Sequence, residues 1–315
     1  MIKMDKISEK VPMFFGSNKR LDRVLANMFN QYSRTILKKW ILNEQINVNG
    51  HIIKKPNMQV FSGDIITVNF ISEEKYHISE NIILNIVYED DDVLVINKPT
   101  DLVVHPGAGC VNGTILNALL YKDHLFHKIP RAGIVHRLDK NTTGLMLIAK
   151  NIIAYEILVK YLKNREIIRE YEAIVVGNII SGGTVKKPIN RHKKNRIKMC
   201  VSAVGKKATT HYRIIERFKY HTHLRVQLET GRTHQIRVHM LYIMYPILGD
   251  PVYCGKFSNP KGISKIVLNE ISFFSRPALH ASKLRFFHPR TNKLMEFSIE
   301  LPADMKKLIH ILKTN

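Results

Sequence analysis

The sequence predicts an α+β protein that has a small basic α/β module at its N-terminus and a larger domain built on a mostly antiparallel sheet. Two observations lead to this prediction. From about residue 208 onward, alternating β-prone runs separated by turn residues dominate the chain. The polar stretch ISEEKYHISEN, residues 71–81, lacks apolar periodicity and suits a linker between two parts. The 315 residues, 45% of them hydrophobic, suffice to bury a core.

The N-terminal module contains a predicted helix over SRTILKKWILN, which Ser33 is placed to cap. Apolar residues recur on one face of this helix at helical spacing. Three basic residues fall largely outside that apolar stripe and are candidate contacts to a nucleic acid: Arg34, Lys38 and Lys39.

After this helix, INVNGHIIKK predicts a hairpin around an Asn-Gly turn, and IITVNF predicts a further strand. We expect residues 1–15 to form a flexible tail and residues 16–76 to form the module. Residues 77–83 are predicted to be the linker, and residues 84–315 the larger domain.

The charge of the chain indicates its partner. It has 49 Lys and Arg against 26 Asp and Glu, so its net charge is +23, which favours a nucleic acid. A membrane surface is the alternative attraction, but no apolar run approaches the roughly 20 residues of a spanning helix. The N-terminus lacks the apolar core of a signal peptide, so we expect a cytoplasmic protein.

The larger domain opens with two predicted strands, IVYE and VLVINK, joined by the acidic turn Asp90-Asp91-Asp92. Three neighbouring acids suggest a metal site, but a calcium loop needs further spaced oxygen ligands and a Gly, so we interpret them as a solvated turn. Next come a predicted buried strand, a helix and a strand, in the order GLMLIAK, NIIAYEILVKYLKN, EYEAIVVG.

The stretch HRLDKNTTGLMLIAK places one carboxylate, Asp139, between Arg137 and Lys140 just before the apolar run. We expect the flanking cations to keep Asp139 ionised even when it is partly desolvated. An ionised carboxylate in a dry cleft is a usable nucleophile, whereas a structural ion pair is the competing interpretation. The residue types alone leave both open.

A second basic segment, KKPINRHKKNRIK, has seven Lys or Arg residues and no acid. Such runs are usually solvated, but Pro188 and strand-like flanks indicate an ordered loop projecting from the sheet. A loop of this kind suits a phosphate backbone. Its candidate contacts are Arg191, Lys193, Lys194 and Arg196.

In TGRTHQIRVHM, two arginines flank His234 and Gln235. If the chain forms a helix after the Gly, Thr233 and Arg237 share a face and Arg237 can reach back to a carboxylate. The other arginine, Arg232, is a further candidate contact to the nucleic acid.

Metal binding is the alternative use of two histidine pairs, His234 with His239 and His221 with His223. No cysteine or HExxH pattern completes either pair, so we interpret them as hydrogen-bonded or surface histidines. The three cysteines lack C-x-x-C spacing, which argues against a disulfide framework and a zinc site. We predict no metal.

Four stretches together resemble the motifs of the RluA family of pseudouridine synthases: HRLDKNTTGLMLIAK, INKPTDLVVHPGAG, REYEAIVVG and TGRTHQIRVHM. The resemblance extends from about residue 19 to 310, and residues 16–76 resemble the S4-type RNA-binding domain. It implies the pseudouridine synthase catalytic fold and isomerisation of uridine in RNA without a cofactor. Finer features, such as GDPVYCG, resemble members that modify 23S ribosomal RNA.

The resemblance also implies roles for individual residues. Asp139 occupies the position of the catalytic aspartate, which adds covalently at C1′ or at C6, and Arg237 matches the basic residue that pairs with it. Because Arg232 lies close by in sequence, either arginine can make that pair. Tyr171 matches the tyrosine that stacks on the flipped uracil and helps to move the C5 proton. Arg137 matches the arginine that enters the RNA helix when the base leaves.

Three functions compete for this sequence. An RNA-modifying enzyme is favoured because Asp139, Tyr171 and Arg237 are all present. A catalytically idle RNA-binding factor of ribosome assembly is the alternative, and a metal-dependent nuclease lacks ligands. We expect a monomer that acts on 23S ribosomal RNA, either free or in the assembling large subunit, and that does not bind a membrane.

Overall fold

The protein was analysed as a computed structural model that describes residues 4–13, 19–29, 34–71, 78–107, 109–255 and 263–314. It divides into two compact units, Met1–Tyr76 and His77–Asn315. Within the described ranges, no helix combines the length and apolar character required to span a bilayer.

The smaller unit contains a sheet with strand order β1-β6-β3-β4, a short β2-β5 pair and two helices. Its core is formed by apolar residues of both helices and of β3, β5 and β6. The predicted hairpin around Asn49 is confirmed, as is the strand over IITVNF. The elements are β1 (Met4–Lys10), β2 (Lys19–Arg20), α1 (Leu21–Met28), α2 (Arg34–Leu42), β3 (Ile46–Val48), β4 (His51–Ile52), β5 (Gln59–Val60) and β6 (Ile65–Ile71).

The predicted flexible tail over residues 1–15 is wrong for Met4–Lys10. This segment forms β1 and pairs antiparallel with β6, from Met4 opposite Ile71 to Lys10 opposite Ile65. The sequence MDKISEK has little strand character of its own. It becomes a strand because the edge of β6 offers unpaired backbone groups, which only the folded unit provides.

The predicted helix over SRTILKKWILN is confirmed as α2, with Leu37 and Ile41 fully buried. Arg34, Lys38 and Lys39 are exposed, as the pattern predicted. Ser33, the predicted cap, lies outside the described residues.

The larger unit also differs from prediction at its start, because part of the predicted linker 77–83 is bonded to it. The Asn117 side chain donates to the carbonyl of Ile78 at 2.7 Å, and the backbone N–H of Gly113 donates to the Glu80 carboxylate at 2.9 Å. Residues 78–80 therefore belong to the second unit and do not form a free connection.

In the described part of the larger unit, nine strands form one sheet in the order β11-β14-β15-β10-β16-β9-β8-β7, with β17 paired to β16. All of its pairings are antiparallel except the short β9–β16 contact. The elements are β7 (Ile86–Glu89), β8 (Val93–Lys98), α3 (Ile115–Lys122), β9 (Thr143–Ala149), α4 (Ile152–Asn164), β10 (Ile168–Val176), β11 (Gly183–Lys186), β12 (Ile189–Arg191), β13 (Met199–Val201), β14 (Thr209–Arg217), β15 (His221–Leu228), α5 (Gln235–Tyr242), α6 (Lys265–Phe273), β16 (Leu279–Phe287), β17 (Leu294–Ser298) and α7 (Ala303–Lys313).

Strand β9 is the rigid base of the site described below. All seven of its residues are buried, because Met146 and Ile148 enter one core while Leu145 and Leu147 enter another core beneath α4. Gly144 has a φ of +115°, and a Cβ there would lie 2.3 Å from the carbonyl oxygen of Ala281. Only glycine therefore permits the close approach of β9 to β16.

The interpretation of the acidic turn as solvated is wrong for two of its three residues. Asp92 is buried and accepts from Arg290 and Asn151, while Asp90 accepts from Tyr88 and His288. Through these hydrogen bonds the two acids connect the β7–β8 turn to the residues that follow β16. Their oxygens accept hydrogen bonds from protein donors, which stabilises two carboxylates in this turn.

Candidate active site

Asp139 lies in the loop that leads from a short 3-10 turn, Pro130–Gly133, into β9. The backbone N–H of Thr142 donates to its carbonyl at 3.1 Å, which closes a tight turn before the strand. His136 anchors the other side of the loop, since its Nε2 accepts from the backbone N–H of Leu147 at 2.9 Å. The carboxylate is therefore positioned by the fully buried strand.

Lys98, at the end of β8, is hydrogen-bonded to the same loop. Its ammonium is fully buried and donates to three backbone carbonyls, including that of Lys140 at 2.8 Å. Burial lowers the pKa of Lys98 to about 7, while the charge of Asp139 acts to raise it. Lys98 was not among the residues predicted from the sequence, although it lies in INKPTDLVVHPGAG, one of the four stretches that carry the resemblance.

Arg237 is the cation that contacts Asp139. Its Nη1 donates to Asp139 Oδ2 at 3.1 Å, and the Asp139 side chain is 17% exposed. The other oxygen, Oδ1, accepts no hydrogen bond from the described residues, so Arg237 holds only one of the two oxygens. Of the two arginines that the sequence left open, Arg237 therefore makes the pair, whereas Arg232 is exposed and donates to the carbonyl of Lys207.

The flanking cations do not play the part that the sequence predicted for them. Lys140 pairs with Asp101 at 2.9 Å, and Arg137 is exposed. The cation that contacts Asp139 therefore comes from helix α5, which is distant in sequence.

Asp250 is a residue of the candidate site that was not predicted from the sequence. Its side chain is fully buried and accepts from Arg237 Nε at 2.6 Å and from Nη2 at 2.8 Å. It also accepts from the backbone N–H of Val252 and of Tyr253, as an Asp in a turn commonly does. The Asp-Pro step in GDPVYCG indicates such a turn, but nothing in the sequence indicates that Asp250 pairs with Arg237.

This double hydrogen bond fixes the direction of the guanidinium. Burial alone would lower the pKa of Arg237, but the hydrogen bonds and charge of Asp250, followed by Asp139, raise it above the ordinary value. The Tyr253 ring packs against the same group at 4.9 Å. Arg237 is therefore a fixed positive charge beside Asp139.

Helix α5 begins at Gln235, so Thr233 lies ahead of it and does not share a helical face with Arg237. The buried Gln235 amide locks this turn, because it accepts from Thr230 and donates to Thr209 and Thr210. His234 has a φ of +55°, and its Nε2 lies 3.9 Å from Asp139 Oδ2. Burial lowers the pKa of His234, which favours its neutral form.

Tyr171 lies opposite a bulge in β16, because the register between β10 and β16 shifts between Glu170 and Glu172. Such bulges redirect a side chain, commonly beside active sites. The ring is buried and lines the same cleft as Asp139. Burial, and then the charge of Asp139, raise the pKa of Tyr171, while Arg169 acts to lower it. Its hydroxyl is therefore protonated at neutral pH.

The cleft has a volume of about 530 Å³ and brings together residues from four regions of the chain. Among the predicted residues it contains Arg137, Asp139, Tyr171, Arg232 and Arg237. A second opening on the other side of Asp139 is lined by Arg137, and also by Ile197 from the basic segment.

The basic segment forms an ordered hairpin, as predicted. Its strands β12 and β13 pair through Ile189 opposite Val201 and Arg191 opposite Met199. The tip carries Lys193, Lys194 and Arg196, all exposed. Arg191 has a structural contact as well, because its guanidinium donates to the carbonyl of Arg196 and so closes the tip of the hairpin.

Three histidines of the two pairs contact other residues of the protein, and the first of them is His234, whose Nδ1 lies 2.8 Å from the Tyr253 hydroxyl. His239 bonds to Thr210 through Nδ1 and to the carbonyl of Lys187 through Nε2, so both of its nitrogens are used. His223 lies 2.8 Å from the Glu172 carboxylate. These contacts agree with the interpretation of the histidines as hydrogen-bonded residues.

Known proteins resemble this chain in both units. A family model described as RNA pseudouridylate synthase matches residues 92–242, and one described as S4 domain matches residues 19–66. A "Ribosomal large subunit pseudouridine synthase D" of Buchnera aphidicola (subspecies Baizongia pistaciae) is 53% identical over 98% of each chain. The protein of that name from Escherichia coli K12 is 51% identical over 94% of this chain and 91% of its own.

The chain belongs to the RNA pseudouridylate synthase family. The structure of human RNA Pseudouridylate Synthase Domain Containing 4 is 27% identical, with a TM-score of 0.57, over 72% of this chain and 92% of that one. These findings confirm the resemblance, the α+β fold class and the enzyme class that the sequence predicted. Asp139, Tyr171 and Arg237 all lie within residues 92–242, the range that the family model matches.

Proposed function

We propose that this pseudouridine synthase isomerises uridines of large-subunit ribosomal RNA, with Asp139 as the nucleophile. The observation that carries the proposal is the Asp139 carboxylate, which lines the cleft, is held through Oδ2 by Arg237 and leaves Oδ1 without a hydrogen bond among the described residues. The printed names of relatives above 50% identity support the ribosomal substrate.

The reaction is an isomerisation, so its atoms balance without a second substrate. The N1–C1′ bond breaks, the uracil turns within the site, C5 joins C1′, the C5 proton leaves and N1 gains a proton. Asp139 adds through Oδ1 at C1′ or at C6 and leaves again at the end. Arg237 stabilises the carboxylate as it returns, and the buried Asp250 keeps the guanidinium in place.

Arg137 is proposed to occupy the space that the flipped base leaves. It is exposed and lines both openings beside Asp139, a position from which it can enter an RNA helix as the target nucleotide turns into the cleft. Extruding the base costs a few kcal/mol, which its insertion offsets.

Tyr171→Phe is expected to separate binding of the base from proton transfer. The ring remains and stacks on the uracil, so RNA affinity should stay within a few fold of wild type. The variant lacks the hydroxyl, which accepts the C5 proton as its own proton passes to water in the open cleft, so turnover should fall by about 100-fold. Single-turnover kinetics measure this drop, with Tyr155→Phe on α4 as the control. Normal turnover of the Tyr171 variant would rule out the hydroxyl.

The smaller unit and the basic hairpin are proposed to bind the RNA backbone. Arg34 on α2 lines a surface groove with Lys19, Arg20 and Arg23. The hairpin residues Lys193, Lys194 and Arg196 form no ion pair with a carboxylate among the described residues, so they are available to phosphates.

Replacing Arg34, Lys38 and Lys39 together by Gln should weaken RNA binding and flatten its salt dependence. Each lost contact to a single-stranded phosphate lowers the slope of log K against log salt by about 0.7, or about 2 for three contacts. Activity at saturating enzyme should persist. The control replaces Lys306, Lys307 and Lys313 of α7, which are paired with glutamates. An equal change of slope in the control would count against the proposed contacts.

Tritium release tests the function itself. A large-subunit ribosomal RNA transcript carrying 5-tritiated uridine loses its label when C5 joins C1′, whereas binding or strand cleavage retains it. We expect the wild-type protein to release tritium without added cofactor. RNA binding without release would instead favour a ribosome-assembly factor that is catalytically idle.

A further inference from the structure

Arg169 lies in the catalytic cleft but has no part in the mechanism above. It precedes Tyr171 by two residues on β10, so the two side chains share one face of the strand, about 7 Å apart along it. Its side chain lines the cleft, and the residue is only 7% exposed.

The charge of Arg169 is unpaired, unlike that of the other buried arginines. Among the described residues, Arg237 is bonded doubly to Asp250 and Arg276 doubly to Asp304. Arg169 forms no ion pair there, and its Nε is sealed from solvent without a hydrogen-bond partner. A buried cation without a partner is costly, so a ligand that supplies the missing acceptor would be favoured.

The carboxylates near the cleft are already engaged. Asp139 is bonded to Arg237, and Glu229 on the cleft wall pairs with both Arg165 and His211. Since neither side chain turns to Arg169, the described part of the protein provides no anion for it.

A second donor without an acceptor belongs to His136, which lines the same cleft as Arg169. His136 accepts at Nε2, so its proton is on Nδ1, and this atom is buried and has no partner. Burial, and then the charge of Arg169, lower the pKa of His136 to about 3, so the ring is neutral. Arg169 Nε and His136 Nδ1 are thus two buried N–H groups that find no acceptor among the described residues.

Gly231 keeps the guanidinium open to the cleft. A Cβ at this position would lie 2.9 Å from Arg169 Nη1, so any side chain there would crowd the end of the arginine. The TGR sequence that starts the turn before α5 therefore leaves space beside Arg169 for a ligand atom.

We propose that Arg169 binds a backbone phosphate next to the flipped uridine. A phosphodiester carries one negative charge and two free oxygens, which match the planar donor group of one unpaired guanidinium. A nucleotide whose base lies on Tyr171 brings its backbone into the same cleft. The inference rests on the proposed function, and it assigns to Arg169 the positioning of the substrate above Asp139.

The test replaces Arg169 by Met, which preserves length and apolar contacts but removes the charge. Tritium release from the large-subunit transcript should show kcat/KM reduced by roughly 10- to 100-fold, since a charge-assisted contact is lost. The slope of log kcat/KM against log salt should fall by about 0.7, the contribution of one phosphate. Arg169→Lys keeps a charge and should retain the slope and part of the activity.

The control is Arg225→Met, an exposed arginine on β15, which should match wild type in both measurements. The melting temperature of Arg169→Met should equal or exceed that of wild type, because an unpaired buried charge is removed. A lower melting temperature would make Arg169 structural and overturn the proposal. An unchanged kcat/KM would also overturn the proposal. So would a lower kcat/KM with an unchanged salt slope, because that result would indicate a contact to the base and not to a phosphate. If the wild-type protein itself releases no tritium, the proposed function fails instead.

Discussion

Asp139→Asn should abolish tritium release, with turnover reduced by at least about 1,000-fold. An amide cannot add to the nucleotide and leave again as a carboxylate does, so the covalent route is closed. The variant should remain folded, because Arg237 keeps its double hydrogen bond to the buried Asp250. The amide oxygen can still accept from Arg237 Nη1, which preserves the geometry of the loop.

RNA affinity separates the nucleophile from a structural ion pair. Removing a negative charge near phosphates lowers repulsion, so the affinity of Asp139→Asn should hold or rise slightly. Filter binding to the ribosomal transcript and thermal unfolding measure these quantities beside tritium release. Measurable release by a preparation free of wild-type enzyme would end the assignment. Unfolding of the variant would restore the structural ion pair.

Asp250→Asn should give the second-largest loss, although Asp250 does not touch the substrate in the proposed mechanism. One hydrogen-bonded oxygen becomes an NH₂ group that faces the donors of Arg237, so the buried guanidinium loses its fixed direction. We expect the free energy of unfolding to fall by about 3 kcal/mol, as for other broken buried pairs. Turnover should fall by about 100-fold, because a small displacement of Arg237 misplaces Asp139.

The chain offers a matched control for this variant. Asp304 binds Arg276 with the same two distances, 2.6 and 2.8 Å, but its side chain is 46% exposed and lies outside the cleft. Asp304→Asn should lower stability by only about 1 kcal/mol, since water replaces the lost contact, and should leave turnover unchanged. If both variants lose turnover equally, the Asp250 effect reflects stability and not the positioning of Arg237.

Local patterns in the sequence predicted much of the fold. The apolar run after Asp139 became the fully buried β9, and the helical spacing of NIIAYEILVKYLKN became α4. These patterns are reliable because side-chain burial follows the period of the backbone itself. In contrast, β1 was missed because its strand character comes from pairing with β6.

The sequence by itself determined the enzyme family and the candidates Asp139, Tyr171 and Arg237, because their motifs are short and local. Only the tertiary structure decided which cation meets Asp139. Arg237 lies 98 residues away and reaches it from α5, while the neighbour Lys140 turns to Asp101. The same holds for Asp250, which orients Arg237, and for Arg169, which has no acid among the described residues. Pairing between charges depends on distances in the folded chain, and no local period in the sequence encodes those distances.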